Sequence, residues 1–227
     1  LPTARLPCRV ISVGNVQAGG AGKTPLVALI ANQAFQRGKK VAILTRGYRS
    51  NWELSGGVIA PGDAPLPPEV VGDEPLLLHE LAPQAWIGVG ARREHAFRLV
   101  QDRSNATPDL VILDDGFQHW RLHRDVDVVA LSSAHWGEAI FRDWEQQAKE
   151  ADLLVWTKGD EPPALWQKRP DGRVKIRYVL PPGGGQKILL VVGVGAPEDV
   201  RALVQKSGYE LCSAVFLRDH AEVTRAQ

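Results

Sequence analysis

Short runs of branched apolar residues alternate along this chain with longer stretches in which apolar positions recur every three or four residues. RVISVG (9–14), VAILTR (41–46), AWIGVG (85–90), DLVILDD (109–115), DVDVVALS (125–132), LLVWTK (153–158) and ILLVVGV (188–194) have the length of strands. Most are apolar at consecutive rather than alternate positions, which marks strands buried on both faces and so a mainly parallel sheet covered by helices. Helical periodicity falls between them, at 23–37, 73–82, 91–102, 142–151 and 197–206. The alternation predicts a doubly wound α/β fold. Two stretches interrupt it. SGGVIAPGDAPLPPEV (55–70) reads as a loop, because its prolines and glycines argue against a helix. Residues 160–185, from DEPPALW to PPGGG, read as a connection into a smaller unit, with KIRYVL (175–180) as a strand within it. The expected organisation is a core over 1–160, a linker or hairpin region over 161–185 and a smaller C-terminal α/β part over 186–227.

The first strand runs into AGGAGKTPLV (18–27). A phosphate loop works because successive backbone N–H groups at a helix N-terminus surround phosphate oxygens, while a lysine adds charge and the next hydroxyl binds Mg²⁺. Gly22, Lys23 and Thr24 match the end of G-x-x-x-x-G-K-[ST], but Gln17 stands where its first glycine belongs. What remains is G-G-x-G-K-T, formed by Gly19, Gly20, Ala21, Gly22, Lys23 and Thr24, in the expected context of strand, loop and helix. The expected fold is therefore P-loop NTPase-like.

Three other strand or helix ends carry candidate chemistry. LVILDDGFQH (110–119) is an apolar strand ending in Asp114 and Asp115, where a carboxylate can hold Mg²⁺ or its water shell beside the phosphate-loop threonine. VGDEPLLLHELAP (71–83) puts Asp73 and Glu74 at the start of a helix, a pattern that ordinary helix caps also produce. TKGD (157–160) resembles the guanine-reading motif of GTPases, with Asp160 in the specificity position. The six histidines, at 79, 95, 119, 123, 135 and 220, form no metal-ligand spacing.

Composition narrows the partners. The 227 residues carry 27 basic and 26 acidic side chains, so no broad polyanion-binding face is expected and nucleic acid is not an expected partner. Cys8 and Cys212 make neither a metal-ligand spacing nor a disulfide framework. The longest apolar stretch, ILLVVGVGA (188–196), falls short of the roughly 18 residues of a membrane-spanning helix. The chain begins at Leu1 and holds no methionine, so residues preceding it in the native protein are expected.

Together, SVGNVQAGGAGKTP (12–25), LTRGYRS (44–50), GDEPLLL (72–78), ILDDGFQHWRLHRDVDVV (112–129), ADLLVWTK (151–158) and FLRDHAEVT (216–224) resemble the tetraacyldisaccharide 4′-kinase family, in family order and over most of the chain. The LDDGFQH-x-RL-x-RD-x-D block is far more specific than a phosphate loop. The resemblance implies a kinase that moves the γ-phosphate of ATP, with Mg²⁺, to the 4′-hydroxyl of a tetraacyl glucosamine disaccharide 1-phosphate in lipid A biosynthesis. It also implies a lipid substrate at the membrane surface, and peripheral contact of the full-length protein with the cytoplasmic face of the bacterial inner membrane. By position, Lys23 and Thr24 would hold phosphates and Mg²⁺, Asp73 would be the base with His220 supporting it, and Glu74, Asp114 and Asp115 would organise the metal. Arg93 would bring positive charge to the transferring group, and Asp143 would replace a family glutamate near the nucleotide. This chain departs from the family at Ala221, where a second histidine is usual, and in EAIFRDWE (138–145). The alternative is a nucleotide switch. A deviant-Walker ATPase would usually carry a further lysine where Ala18 stands, and the GTPase version rests on TKGD alone, since DDGFQ is not D-x-x-G.

Overall fold

The computed structural model describes residues 3–16, 21–132, 148, 150–158, 171–174, 179–193 and 197–217, with the Lys158 side chain excepted. Most of the helix expected at 142–151, and residues 175–178 of the strand expected at KIRYVL, lie outside these. The chain divides into a unit over Leu1–Ile176 and a unit over Arg177–Gln227.

The larger unit runs β1 (Arg9–Gly14), α1 (Lys23–Gln36), β2 (Val41–Thr45), α2 (Trp52–Ser55), β3 (Gly57–Ile59), α3 (Pro68–Val71), α4 (Asp73–Leu81), β4 (Trp86–Val89), α5 (Arg93–Ser104), β5 (Leu110–Asp114), β6 (Val126–Ser132), β7 (Leu153–Lys158) and β8 (Gly172–Arg173). Its strands lie in the order β3-β4-β2-β5-β1-β6-β7-β8. Among the described residues only β3 is antiparallel, at the edge against β4. The unbroken apolar runs have a direct cause. Val41 and Ile43 of β2 and Ile112 of β5 pack with Leu26, Val27 and Ala31 of α1 and Leu78 of α4. Their neighbours Ala42, Leu44, Val111 and Leu113 pack on the other face with Phe97 and Val100 of α5. Alternate side chains feed opposite layers, so every position must be apolar.

The 55–70 stretch is not a plain loop. Gly57, Val58 and Ile59 pair with β4 and bury Val58 and Ile59, and α3 begins with Pro68, where a missing N–H costs a helix nothing. Proline punctuation at the sequence level concealed both elements.

The connection from β1 leads to β2 beyond β5, whereas β5 leads to β6 on the opposite side of β1. Connections that diverge around a strand leave a crevice at its carboxyl end, where α/β sheets bind ligands. The smaller unit pairs β9 (Lys187–Val192) and β10 (Glu210–Phe216) in parallel around α6 (Pro197–Lys206), packing Leu190 and Val192 with Val204. β10 is an addition to the strands read from sequence.

Candidate active site

After β1 the chain passes through Asn15 and Val16, both fully buried. Gly19 and Gly20 lie outside the described residues. Ala21 is buried, and Gly22 opens α1 from a left-handed conformation at φ 70°. No side chain caps this helix and its first turn holds no acidic residue. Leu26 N–H makes the first helical bond, to Gly22 O, and Pro25 has no N–H at all. The N–H groups of Gly22, Lys23 and Thr24 therefore form the positive end of α1, suited to an anion.

Lys23 folds back over this turn. Its Nζ donates to Asn15 Oδ1 at 3.0 Å and lies 3.4 Å from Asp115 Oδ1. Asp114, the last residue of β5, is fully buried and accepts a hydrogen bond from Thr45 Oγ1 at 3.0 Å. Loss of hydration and the nearby Glu74 carboxylate push its carboxyl up to about 6, while Lys23 pulls the other way. Arg93, at the start of α5, is also buried and donates to Gly90 O at 2.6 Å and Asp114 O at 3.3 Å. Desolvation lowers its hold on the proton, opposed by Asp114, Asp115 and Glu74.

Backbone close to backbone brings these groups together. Gly116 N–H donates to Val13 O at 3.1 Å, and Gln118 Nε2 donates to Asn15 O at 2.9 Å. A methyl group on Gly14 would collide with Phe117, so the strand that feeds the phosphate loop lies flush against the DDGF turn. Asp115 takes φ 50°, which lets the chain reverse immediately after Asp114. On the other wall a Cβ on Gly72 would stand 3.3 Å from Gly47 Cα, so the Arg46–Ser50 loop seats the first turn of α4. Gly72 itself is the N-cap of α4 and brings no side chain. Asp73 and Glu74 are thus first-turn residues at an exposed mouth of the site rather than the N-cap.

Among the described residues no three His, Cys, Asp or Glu side chains converge to hold a metal by themselves. That suits Mg²⁺, which commonly takes one or two carboxylates and completes its shell with water and substrate phosphates. The negative charge gathered by Asp114, Asp115 and Glu74, sensed in the raised Asp114 carboxyl, fits such a cation. A raised carboxyl means that the folded state holds this proton more tightly than the unfolded chain. Stability from Asp114 is therefore fully present below about pH 4 and is lost as pH rises through about 6. Without Mg²⁺, Asp114→Asn should be more stable than wild type above pH 7, by on the order of 1–3 kcal/mol. Thermal melts across pH, with and without Mg²⁺, check this. Equal melting curves for the two proteins at pH 7.5 would refute it.

The structure brings Ala21, Gly22, Lys23, Thr24, Asp73, Glu74, Arg93, Asp114 and Asp115 to the carboxyl edge of one sheet. His220 and Asp143 lie outside the described residues, as does Asp160 of TKGD. Asn15 and Thr45 were missed, and Thr157 was noticed only as part of TKGD. Asn15 follows β1, Thr45 ends β2 and Thr157 stands next to the last residue of β7, each a polar residue after an apolar run, and that was the available signal. Thr157 is buried, and its hydroxyl reaches Ala21 O at 2.7 Å and Leu131 O at 2.9 Å. The first residue of TKGD thus braces the end of the phosphate loop. Removing only the hydroxyl, in Thr157→Val, should raise the KM for nucleotide by roughly fivefold with a small loss of stability, as expected for one net hydrogen bond. An unchanged nucleotide KM would show that the brace is dispensable.

A family model described as tetraacyldisaccharide-1-P 4′-kinase matches residues 1–227. The chain is 36% identical to a tetraacyldisaccharide 4′-kinase of Geobacter metallireducens, over 93% of this chain and 68% of that protein. It is 32% identical to one of Syntrophus aciditrophicus, over 96% of this chain and 68% of the relative. Among solved structures it resembles a crystal structure described as the apo form of LpxK from Aquifex aeolicus in complex with ATP, with a TM-score of 0.73 and 24% identity, over 97% of this chain and 74% of that one. That likeness shares the fold.

Proposed function

The chain belongs to the tetraacyldisaccharide-1-P 4′-kinase family, and from that premise we propose that it transfers the γ-phosphate of ATP to the 4′-hydroxyl of a tetraacyl glucosamine disaccharide 1-phosphate, a step of lipid A biosynthesis. The observation that carries the reading is the Lys23–Asn15–Asp115 contact at the amino end of α1, with Asp73 and Glu74 at the mouth beside it.

Phosphoryl transfer asks little covalent chemistry of a protein and much positioning and charge neutralisation. The N–H groups of Gly22 to Thr24 hold phosphate oxygens, with Gly19 and Gly20 completing the loop. Lys23 exchanges its Asn15 and Asp115 partners for phosphate oxygens, and Arg93, fixed by Gly90 O and Asp114 O, adds positive charge. Asp143 contributes near the nucleotide. Thr24, Glu74, Asp114 and Asp115 would hold Mg²⁺, which would supply neutralisation of phosphate charge. Asp73 receives the proton of the sugar hydroxyl, and His220 orients it or shares that proton.

The acceptor is a lipid, so the reaction takes place at a membrane surface, and the full-length protein acts as a peripheral enzyme at the cytoplasmic face of the inner membrane. No helix among the described residues is long and apolar enough to cross a membrane. Full-length protein incubated with ATP, Mg²⁺ and the disaccharide 1-phosphate should yield a product heavier by one phosphate, formed at the 4′ position. Nucleotide hydrolysis without transfer, or a clear preference for GTP, would overturn the reading in favour of a nucleotide switch.

A further inference from the structure

The most specific block of the sequence, ILDDGFQHWRLHRDVDVV (112–129), continues well past its paired aspartates. The path of the chain between β5 and β6 explains why. Both strands lie parallel to β1, one on each side of it, so residues 115–125 must return from the carboxyl edge of the sheet to its amino edge. Such a crossover usually takes a dozen or more residues and an α-helix. This one is shorter and consists of turns and irregular backbone. With no helical ladder to satisfy and order its backbone, neighbouring strands and side chains must do so. At its start Gly116 N–H donates to Val13 O, and a methyl on Gly116 would press on Leu113 and the buried Ser12. At its end Asp125 N–H donates to Val10 O at 2.8 Å, and the Asp125 carboxylate accepts from Val10 N–H at 2.7 Å.

Arg124 joins the two ends. Its side chain is only 11% exposed, and Nη1 donates to Phe117 O at 3.1 Å and, more weakly, to Gly116 O at 3.5 Å. Its Nε lies 3.0 Å from Asp127 Oδ1, and the guanidinium lies over the Trp120 ring, 5.0 Å from the centroid. Asp127 is itself fixed: it stands opposite Ser12 in the β1–β6 register, and its N–H donates to Asp152 Oδ2 at 2.7 Å. Burial raises the Asp127 carboxyl, and the Arg124 charge opposes that rise. One guanidinium thus ties β6 to the first two carbonyls after Asp115. We propose that Arg124 is a positioning residue of phosphoryl transfer, its guanidinium, locked by Asp127, fixing the turn that holds Asp115 against Lys23; this rests on the kinase reading above. Asp115 keeps its left-handed conformation, at φ 50°, because the peptides that follow it are gripped. Alignment is most of what this chemistry asks, and a displacement of about 1 Å caused by a remote substitution can cost roughly a hundredfold in rate. Lysine cannot take over, since a point charge does not reach the carbonyls and the carboxylate as a planar fork does.

The test uses full-length protein carrying Arg124→Gln, Arg124→Lys or Asp127→Asn, assayed well below the melting transition of each. Arg124→Gln should lower kcat by roughly tenfold to a hundredfold and raise the Mg²⁺ concentration for half-maximal rate, because Asp115 would also help to hold that ion. Its KM for the acceptor should stay within about twofold of wild type. Arg124→Lys should not restore the rate. Asp127→Asn keeps the arginine and the shape of its partner, and should show the same pattern at smaller size. The double variant Arg124→Gln/Asp127→Asn should lose less than the product of the two, as for residues that act as a unit. Independently of turnover, ATP with Mg²⁺ should raise the melting temperature of each variant less than that of wild type, while the rise with ATP and no metal is retained. Folded variants with kcat and half-maximal Mg²⁺ within about twofold of wild type would show that the clasp serves only stability and overturn the proposal. Full rescue by Arg124→Lys would overturn it as well. If Arg124→Gln does not fold, Asp127→Asn and Arg124→Lys decide by the same criteria. A wild type that transfers phosphate while every variant matches it overturns this proposal alone. A wild type that binds ATP with Mg²⁺ yet yields no phosphorylated acceptor overturns the kinase reading, and this proposal with it.

Discussion

Lys23→Ala should fold normally yet lose phosphoryl transfer by roughly 10²–10³-fold in kcat, the usual effect of deleting one fixed group that neutralises charge in the transition state. The geometry leaves little room for a substitute. The Lys23 side chain is only 12% exposed and its Nζ reaches both Asn15 and Asp115, while Arg93 is already committed to two carbonyl oxygens. The ion pair with Asp115, itself 34% exposed, contributes little to stability, so the melting temperature should barely move. Removing the cation also withdraws the charge that opposes the rise of the Asp114 carboxyl, so the pH at which Asp114 titrates should move further up in the variant. Single-turnover rates, nucleotide affinity and melting curves against pH separate these effects. Turnover within about threefold of wild type would reduce the loop at 18–25 to a structural turn, since it lies far below the range for a charge-stabilising group. Lys23→Arg is not expected to rescue, because a planar fork does not replace a compact ammonium in a space shaped for one.

Asp73→Asn should lower kcat by roughly 10²–10⁴-fold, the contribution of a general base. Nucleotide affinity and melting temperature should change little. Gly72 serves as the helix N-cap and Asp73 is exposed in the first turn, so the amide replaces the acid without removing a cap. His220→Ala should show a smaller fall, and the double variant should lose less than the product of the two if the residues act as a unit. A kcat for Asp73→Asn within about threefold of wild type would falsify the assignment.

Particular residues show why sequence reading worked where it did. β2 and β5 were legible because both faces of each strand are buried, and short length with branched residues sets such consecutive apolar runs apart from buried helices. The phosphate loop was legible despite Gln17, because Gly22, Lys23 and Thr24 sit at a strand-to-helix junction. β3 was hidden because an edge strand needs only Val58 and Ile59 to bury itself. Thr157 drew notice for a different motif, and its contact with Ala21 O, across 136 residues of sequence, leaves no local pattern.

β1 lies in the middle of the larger sheet although it is the first strand of the chain. Its hydrogen-bonding partners begin at Leu110 on one side and Val126 on the other. A polypeptide leaving the ribosome therefore carries RVISVG unpaired on both edges until β5 has emerged, and on one edge until β6 follows. Unpaired apolar strand edges are the species that aggregate, and non-local pairing is slow to form. The nucleotide-binding turn acquires its floor late in synthesis. Slower translation or chaperone capture before Val126 has emerged should therefore change the yield of folded protein.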